Sequence, residues 1–144
     1  MNEFLWESPC SDGFLRRLLG EYQADVLLVT HSGIPWVRRL PAEFGGGLIV
    51  NVGAIGRPAN DGHLGVYYAM ITVYPAERAG SGAASSSKGT AEVEIVRVDY
   101  DHERLIADMR VERLPEEFVE TIATGYWTTC LEILPARERS RGVY

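Results

Sequence analysis

Cysteine is scarce in this sequence. Its two cysteines, Cys10 and Cys130, lie far apart and form no C-x-x-C pair. The scarcity argues against a zinc site built on paired cysteines and against a disulfide framework. We therefore expect a reducing, cytoplasmic setting.

Excess positive charge and long hydrophobic runs are also missing. Fourteen basic residues stand against twenty acidic ones, so the net charge of −6 would repel a nucleic-acid backbone. No apolar run approaches the ~20 residues that span a bilayer, and nothing near Met1 combines a basic with an apolar region as a signal peptide does. We expect a soluble, unexported protein that binds neither nucleic acid nor membrane.

Apolar residues make up 46% of the 144 residues, which is enough for one globular domain with its own core. An amphipathic helix is predicted near the start, because Ser11 suits the N-cap and apolar residues follow at spacings of three and four. These residues are Phe14, Leu15, Leu18, Leu19 and Tyr22.

The segment Val26–Val29 is wholly apolar and partly β-branched, which predicts a strand buried on both faces. It runs directly into Thr30, His31 and Ser32. Ligands of open α/β sheets usually bind at the carboxyl ends of strands. This position makes His31 a candidate site residue.

Further strands are predicted by runs of β-favouring residues. Residues 34–40 and 48–52 flank three glycines and should form a hairpin. Val66–Tyr74 reads as a long central strand, and residues 92–98 as its successor. The Gly-, Ala- and Ser-rich residues 79–89 between them predict a flexible connection.

The last third of the chain reads as helical. Asp101 is a plausible cap for a helix that carries Leu105, Ile106 and Met109 on one face. A second helix should begin at Pro115 and continue to residue 133, although residues 127–131 could instead form a strand. Residues 136–144 should be a charged, solvated tail.

Two segments carry a resemblance to a known family. Residues 29–35 read Val-Thr-His-Ser-Gly-Ile-Pro, and residues 50–58 read Val-Asn-Val-Gly-Ala-Ile-Gly-Arg-Pro. In order and spacing they resemble the carboxy-terminal half of the calcineurin-like metallophosphoesterases. The resemblance implies an α/β fold over residues 1–135, corresponding to the second half of a four-layer αββα sandwich, with a mixed β-sheet flanked by helices.

The resemblance assigns a metal ligand. His31 is similar to the first His of the family's Gly-His-x-His motif, which binds one of two divalent ions, Mn, Zn or Fe. Thr30 stands where the family commonly has Gly, and Gly33 where the second His should be. A histidine at a strand end could instead simply bond to a backbone carbonyl.

The turn after the second motif has a supporting role in the family. Asn51 and Gly53 match its Asn-x-Gly turn, which shapes the metal site without ligating it. Arg57 could bind a substrate phosphate through a bidentate contact, or it could form a surface salt bridge.

Other family motifs have no counterpart. Asp-x-His, Gly-Asp-x-x-Asp and Gly-Asn-His-Asp/Glu are all missing. The resemblance thus implies a truncated metal-dependent phosphoesterase, acting on phosphoester substrates at a two-metal centre in the parent family and inactive as this chain alone. The alternative is a non-catalytic binding or interaction module on the same scaffold. Expected partners are a missing amino-terminal half or a second copy of the chain.

Overall fold

The computed structural model describes residues 4–75 and 90–139. The predicted flexible connection at residues 79–89 and the last five residues of the predicted tail lie outside this part of the chain. The helices and strands, in chain order, are α1 (Asp12–Glu21), β1 (Val26–Val29), β2 (Trp36–Arg39), β3 (Leu48–Asn51), β4 (Val66–Tyr74), β5 (Thr90–Val98), α2 (His102–Val111), α3 (Glu116–Thr124) and α4 (Ala136–Arg139), with short 3-10 turns at Ala42–Phe44 and Leu131–Ile133.

Helix α1 forms where the sequence predicted it. The Ser11 hydroxyl accepts a hydrogen bond from the backbone N–H of Phe14 at 3.2 Å, which satisfies one of the N–H groups left open at a helix start. Leu15, Leu18 and Leu19 are buried on one face. The predicted cap is therefore confirmed, and so is the leucine stripe, whereas Tyr22 follows the end of the helix and is 50% exposed.

The first sheet contains β1, β3 and β2 in that order. The central strand β3 runs parallel to β1 and antiparallel to β2, so the sheet is mixed and the predicted hairpin is confirmed. The expectation that β1 is buried on both faces is wrong. It lies at an edge of the sheet, and Leu28 is 53% exposed.

The second sheet contains β4 and β5, paired antiparallel along their whole length. The predicted position of β4 as a central strand is therefore wrong, because its one neighbour within the described residues is β5. Its side chains alternate between partly buried and exposed positions. Met70, for example, is 50% exposed on the outer face.

The two sheets pack face to face. Leu48 and Val50 on one face of β3 share a cluster with Ala91 of β5, and partly buried residues of β4 and β5 pack against them. Ile49, on the opposite face, packs with the buried leucines of α1. Helix α1 and the two sheets thus form three successive layers of an α/β fold. The complete four-layer αββα arrangement stays a prediction.

Of the helices that follow the second sheet, α2 begins as predicted and α3 ends earlier than predicted. Helix α2 is capped as expected, with Asp101 Oδ1 accepting from the Arg104 N–H at 3.0 Å. Helix α3 stops at Gly125, whose φ of 74° is left-handed. Both the predicted continuation to residue 133 and the alternative strand at 127–131 are wrong, because glycine readily ends a helix in this conformation.

No helix within residues 4–75 and 90–139 is long and apolar enough to cross a membrane.

Part of the predicted solvated tail is packed. Residues Ala136–Arg139 form the short helix α4, in which Glu138 is only 2% exposed. The Asn60 side chain donates to the Glu138 carbonyl at 3.1 Å. This anchor comes from a residue distant in sequence, and the local charge pattern gave no sign of it.

Candidate functional site

The two motifs singled out in the sequence form one structural unit. Because β1 and β3 are parallel neighbours, their carboxyl ends meet at the same edge of the sheet. Asn51, the last residue of β3, donates to the Ser32 hydroxyl at 2.5 Å. The Thr30 hydroxyl donates to the Gly53 carbonyl, also at 2.5 Å. These cross-connections hold the loop that carries His31 against the turn after β3.

Asn51 is the centre of these connections and is fully buried. Its Oδ1 accepts from the Gly53 N–H at 3.0 Å, and its Nδ2 also approaches the Leu5 carbonyl at 3.3 Å. One amide side chain therefore bonds to three chain segments. Buried amides require such partners, so Asn51 fixes the strand-end loops. Its predicted place beside a metal centre stays a prediction.

The backbone conformation at position 53 favours glycine. Its φ of 75° is left-handed, and a Cβ added there would lie 3.3 Å from Cδ of Pro35. A larger residue would suffer both strain and crowding. The turn therefore keeps its shape only with glycine.

His31 lies at the surface of the strand-end loop. Its φ of 80° is unusual for a residue with a side chain. The imidazole stacks on Phe4, with ring centroids 4.8 Å apart and planes inclined by 11°. Phe4 in turn stacks on Trp6 at 5.9 Å. No signal in the sequence indicates these contacts, because Phe4 belongs to no motif.

A two-metal centre does not fit the residues seen here. Such centres need many Asp, His and Asn ligands to neutralise the charge of the transferred phosphoryl group. Among residues 4–75 and 90–139, no group of three or more His, Cys, Asp or Glu side chains is placed to hold a metal ion. His31 is the one ligand that the family resemblance assigns to this chain.

Gly33, where the family resemblance leads us to expect a second histidine, leaves no room for a side chain. Gly33 has a left-handed φ of 75°, and a Cβ added there would lie 2.9 Å from Cζ2 of Trp127. Real Cβ atoms essentially never come so close to another heavy atom, so a histidine could enter only if the indole moved. Trp127 thus occupies the space that a side chain at position 33 would need.

Trp127 is held firmly in that place. It is 2% exposed, and its indole N–H donates to the Pro58 carbonyl at 2.7 Å. Its backbone N–H donates to Oδ1 of Asn60 at 2.8 Å. The sequence did not link Trp127 to Gly33, since residues so far apart share no periodic signal.

Arg57 also packs against this tryptophan. Its guanidinium carbon lies 3.7 Å from the centroid of the Trp127 ring, within the range of a cation–π contact. Its Nη2 donates to the carbonyl and hydroxyl of Thr129 at 2.9 and 3.2 Å. The guanidinium therefore joins the turn after β3 to the segment after α3.

The structure places Arg57 and His31 in different depressions. Arg57 borders an apolar hollow of about 220 Å³, together with Phe118 and Ile122 of α3. His31 borders a groove of about 330 Å³ that runs along β1 and is also lined by Leu5 and Tyr22. The two predicted site residues thus border different depressions.

A separate polar cluster was not predicted. Asp61 accepts from the Tyr67 hydroxyl at 3.1 Å, and its other oxygen lies 3.3 Å from Nδ1 of His63. Burial, followed by the charge of Asp61 and this hydrogen bond, raises the pKa of Tyr67 above its usual value. The phenol therefore stays protonated over a wider pH range than a free tyrosine.

Comparison with known proteins shows a structural similarity. No family model matches the chain, and no curated protein matches it. The chain is similar to the crystal structure of a metallophosphoesterase from Sphaerobacter thermophilus, with a TM-score of 0.56 and 22% identity. The match covers 84% of this chain and 50% of the other. The fold is therefore metallophosphoesterase-like, and the chain spans about half the length of this neighbour.

Proposed function

We propose that this chain is one part of a metal-dependent phosphoesterase and does not hydrolyse phosphoesters by itself. The observation that carries the proposal is the position of His31, which follows β1 at the carboxyl edge of a metallophosphoesterase-like sheet. The other metal ligands would come from polypeptide outside this chain.

The inactivity follows from the number of ligands. Imidazole is a sound ligand for Zn, Mn or Fe, but one histidine without companions holds a metal only weakly. In this proposal His31 contributes one ligand, while Asn51 and Gly53 keep its loop in place. We leave Arg57 out of the site, because its guanidinium lies against Trp127 and Thr129.

Isothermal titration of the purified chain with Mn²⁺ and with Zn²⁺ tests the proposal. We expect binding that is weak, at millimolar rather than micromolar concentration, and that is lost in His31→Ala. His63→Ala is the matched control, since His63 is also exposed but lies in the Asp61 cluster. Tight binding that survives His31→Ala would contradict the proposed ligand.

A second candidate is a non-catalytic binding module on the same scaffold. The contact between Gly33 and Trp127 favours it, because a filled ligand position is expected where metal binding has been given up. The reading frame before Met1 separates the candidates. Asp-x-His and Gly-Asn-His motifs encoded there would support the phosphoesterase part, and a frame without them would support the module.

A further inference from the structure

An aromatic stack at the start of the described chain reaches the candidate ligand His31. The phenyl ring of Phe4 lies 4.8 Å from the imidazole of His31 between centroids, and the two planes differ by 11°. Phe4 also stacks on Trp6, with centroids 5.9 Å apart and planes inclined by 15°. Both distances fall within the range of about 4.5 to 7 Å that favours aromatic pairs. The three rings therefore form one nearly parallel stack.

The inner end of this stack is fixed in the core. Trp6 is only 6% exposed and packs in a cluster with Trp127 and Leu134. Side chains in such close-packed surroundings have little room to move. The exposed imidazole of His31 is thus connected to the core through the ring of Phe4.

The backbone between the two aromatic residues is also held. The Leu5 carbonyl accepts from the Trp36 indole N–H at 3.1 Å and from Nδ2 of Asn51 at 3.3 Å. The same Asn51 amide donates to the hydroxyl of Ser32, the residue after His31. One buried side chain therefore holds both chain segments whose rings meet in the stack.

The ring nitrogens of His31 are not used to hold the side chain. Neither of them has a hydrogen-bond partner within residues 4–75 and 90–139. The bond to a backbone carbonyl, which the sequence left open as the alternative role of His31, is thus not formed in this part of the chain. The left-handed φ of 80° is a conformation that persists only where the surroundings impose it. Within the described residues, the ring contact with Phe4 is what orients the imidazole.

We propose that Phe4 is the positioning residue of His31: its ring fixes the plane of the imidazole and leaves the ring nitrogens accessible to a metal ion. A histidine that binds metal is usually oriented by a hydrogen bond from its second ring nitrogen to a carboxylate or a carbonyl. Stacking replaces that bond here. The nitrogen lone pairs lie in the plane of the imidazole, so a ring stacked on its face does not cover them.

The use of this orientation for metal binding rests on the proposed function, whereas the orientation itself does not. A ring that is already ordered loses less conformational freedom when it binds an ion. Ordering one side chain on binding weakens affinity by about threefold or more. Loss of the stack should therefore raise the Kd for Zn²⁺ at His31 by about this factor.

NMR spectra of the imidazole C–H groups test the proposal, with the His31 signals assigned by their absence in His31→Ala. Phe4→Leu keeps an apolar side chain but removes the ring. The metal-free His31 signals should move downfield in this variant, because the ring current of the phenyl group is lost. The Kd for Zn²⁺, followed through the same signals, should rise about threefold or more. Phe4→Tyr restores the ring and should return both values to those of the unmodified chain.

The matched control is Phe44→Leu. Phe44 is similarly exposed, at 42% against 38% for Phe4, but it lies in the turn before β3, at the opposite end of the strands from His31. This variant should change neither the His31 signals nor the Kd. Circular dichroism checks that all variants are folded.

The two readouts separate this inference from the proposed function. Metal-free His31 signals that are the same in Phe4→Leu as in the unmodified chain would overturn the positioning role, whether or not Zn²⁺ binds. A changed signal with an unchanged Kd would overturn it as well, because the stack would then have no effect on the ligand. If Zn²⁺ does not affect the His31 signals of the unmodified chain, the proposed ligand is wrong, and the metal-free signals alone decide whether Phe4 orients the ring.

Discussion

Gly33 and Trp127 exclude any side chain between them: a Cβ on residue 33 would lie only 2.9 Å from Cζ2 of the indole. The tryptophan is buried and tied to the Pro58 carbonyl, so it cannot easily move aside. Glycine at position 33 is therefore a packing requirement of this fold.

Gly33→Ala should destabilise the protein by about 2 to 4 kcal/mol, through the left-handed backbone and the clash with Trp127 together. Gly46→Ala is the matched control, because Gly46 also has a positive φ but meets no atom within 4 Å of an added Cβ. Gly46→Ala should lower the free energy of unfolding by about 1 kcal/mol, from the backbone conformation alone. Urea unfolding measures the stability of both variants. Equal losses of stability would show that the Trp127 indole can move aside to make room for the added Cβ.

Asn51→Ala should lower the free energy of unfolding by about 2 to 4 kcal/mol, because it leaves buried partners in three segments without their hydrogen bonds. Thr30→Val removes the single bond to the Gly53 carbonyl and should cost about 1 kcal/mol. Urea unfolding of the two variants provides the comparison. A loss in Asn51→Ala no larger than that in Thr30→Val would argue against its central role.

Arg57→Ala should cost about 1 to 3 kcal/mol, since it removes the stacking on Trp127 and the bonds to Thr129. It should also change the fluorescence of the buried indole. Arg57→Lys keeps a cation but loses the planar contact. Its stability should therefore lie between that of the unmodified protein and that of Arg57→Ala. Unchanged stability and fluorescence in Arg57→Ala would mean that the contact contributes little.

Asp61→Asn should lower the pKa of Tyr67, because the carboxylate raises it through both its charge and its hydrogen bond. Asp99→Asn is the matched control, since Asp99 makes the smallest contribution to the same shift. NMR titration of the phenol carbon that bears the hydroxyl follows each variant. An equal response to the two substitutions would contradict the geometry.

The raised pKa of Tyr67 also makes the stability of the protein depend on pH. Because the folded pKa of Tyr67 is raised, the folded state favours the protonated phenol. This contribution is fully present below the unfolded pKa of about 10 and is lost as pH rises through the folded pKa. In Asp61→Asn the alkaline loss of stability should therefore be smaller.

Local signals in the sequence predicted the elements well. The Ser11 cap and the leucine spacing gave α1, and the apolar runs gave β1 and β4 with the bounds that the structure has. The predicted end of α3 is wrong because apolar residues keep helical spacing beyond Gly125, although this glycine ends the helix.

Contacts between residues that are distant in the chain could not be predicted from the sequence. The predicted burial of β1 on both faces is wrong because an apolar run does not reveal whether its strand lies at an edge. The site motifs were found because they follow strands, yet the contacts that define them involve residues remote in the chain. Phe4 on His31, and Arg57 on Trp127, depend on tertiary packing that no local pattern encodes.

The most direct test of the central claim is a phosphatase assay of the purified 144-residue chain with an aryl phosphate and added Mn²⁺ or Zn²⁺. We predict hydrolysis no faster than the background with metal alone, for the chain and for His31→Ala alike. Metal-dependent turnover by the chain that disappears in His31→Ala would contradict the claim, because it would show that this polypeptide completes a catalytic metal site without further ligands.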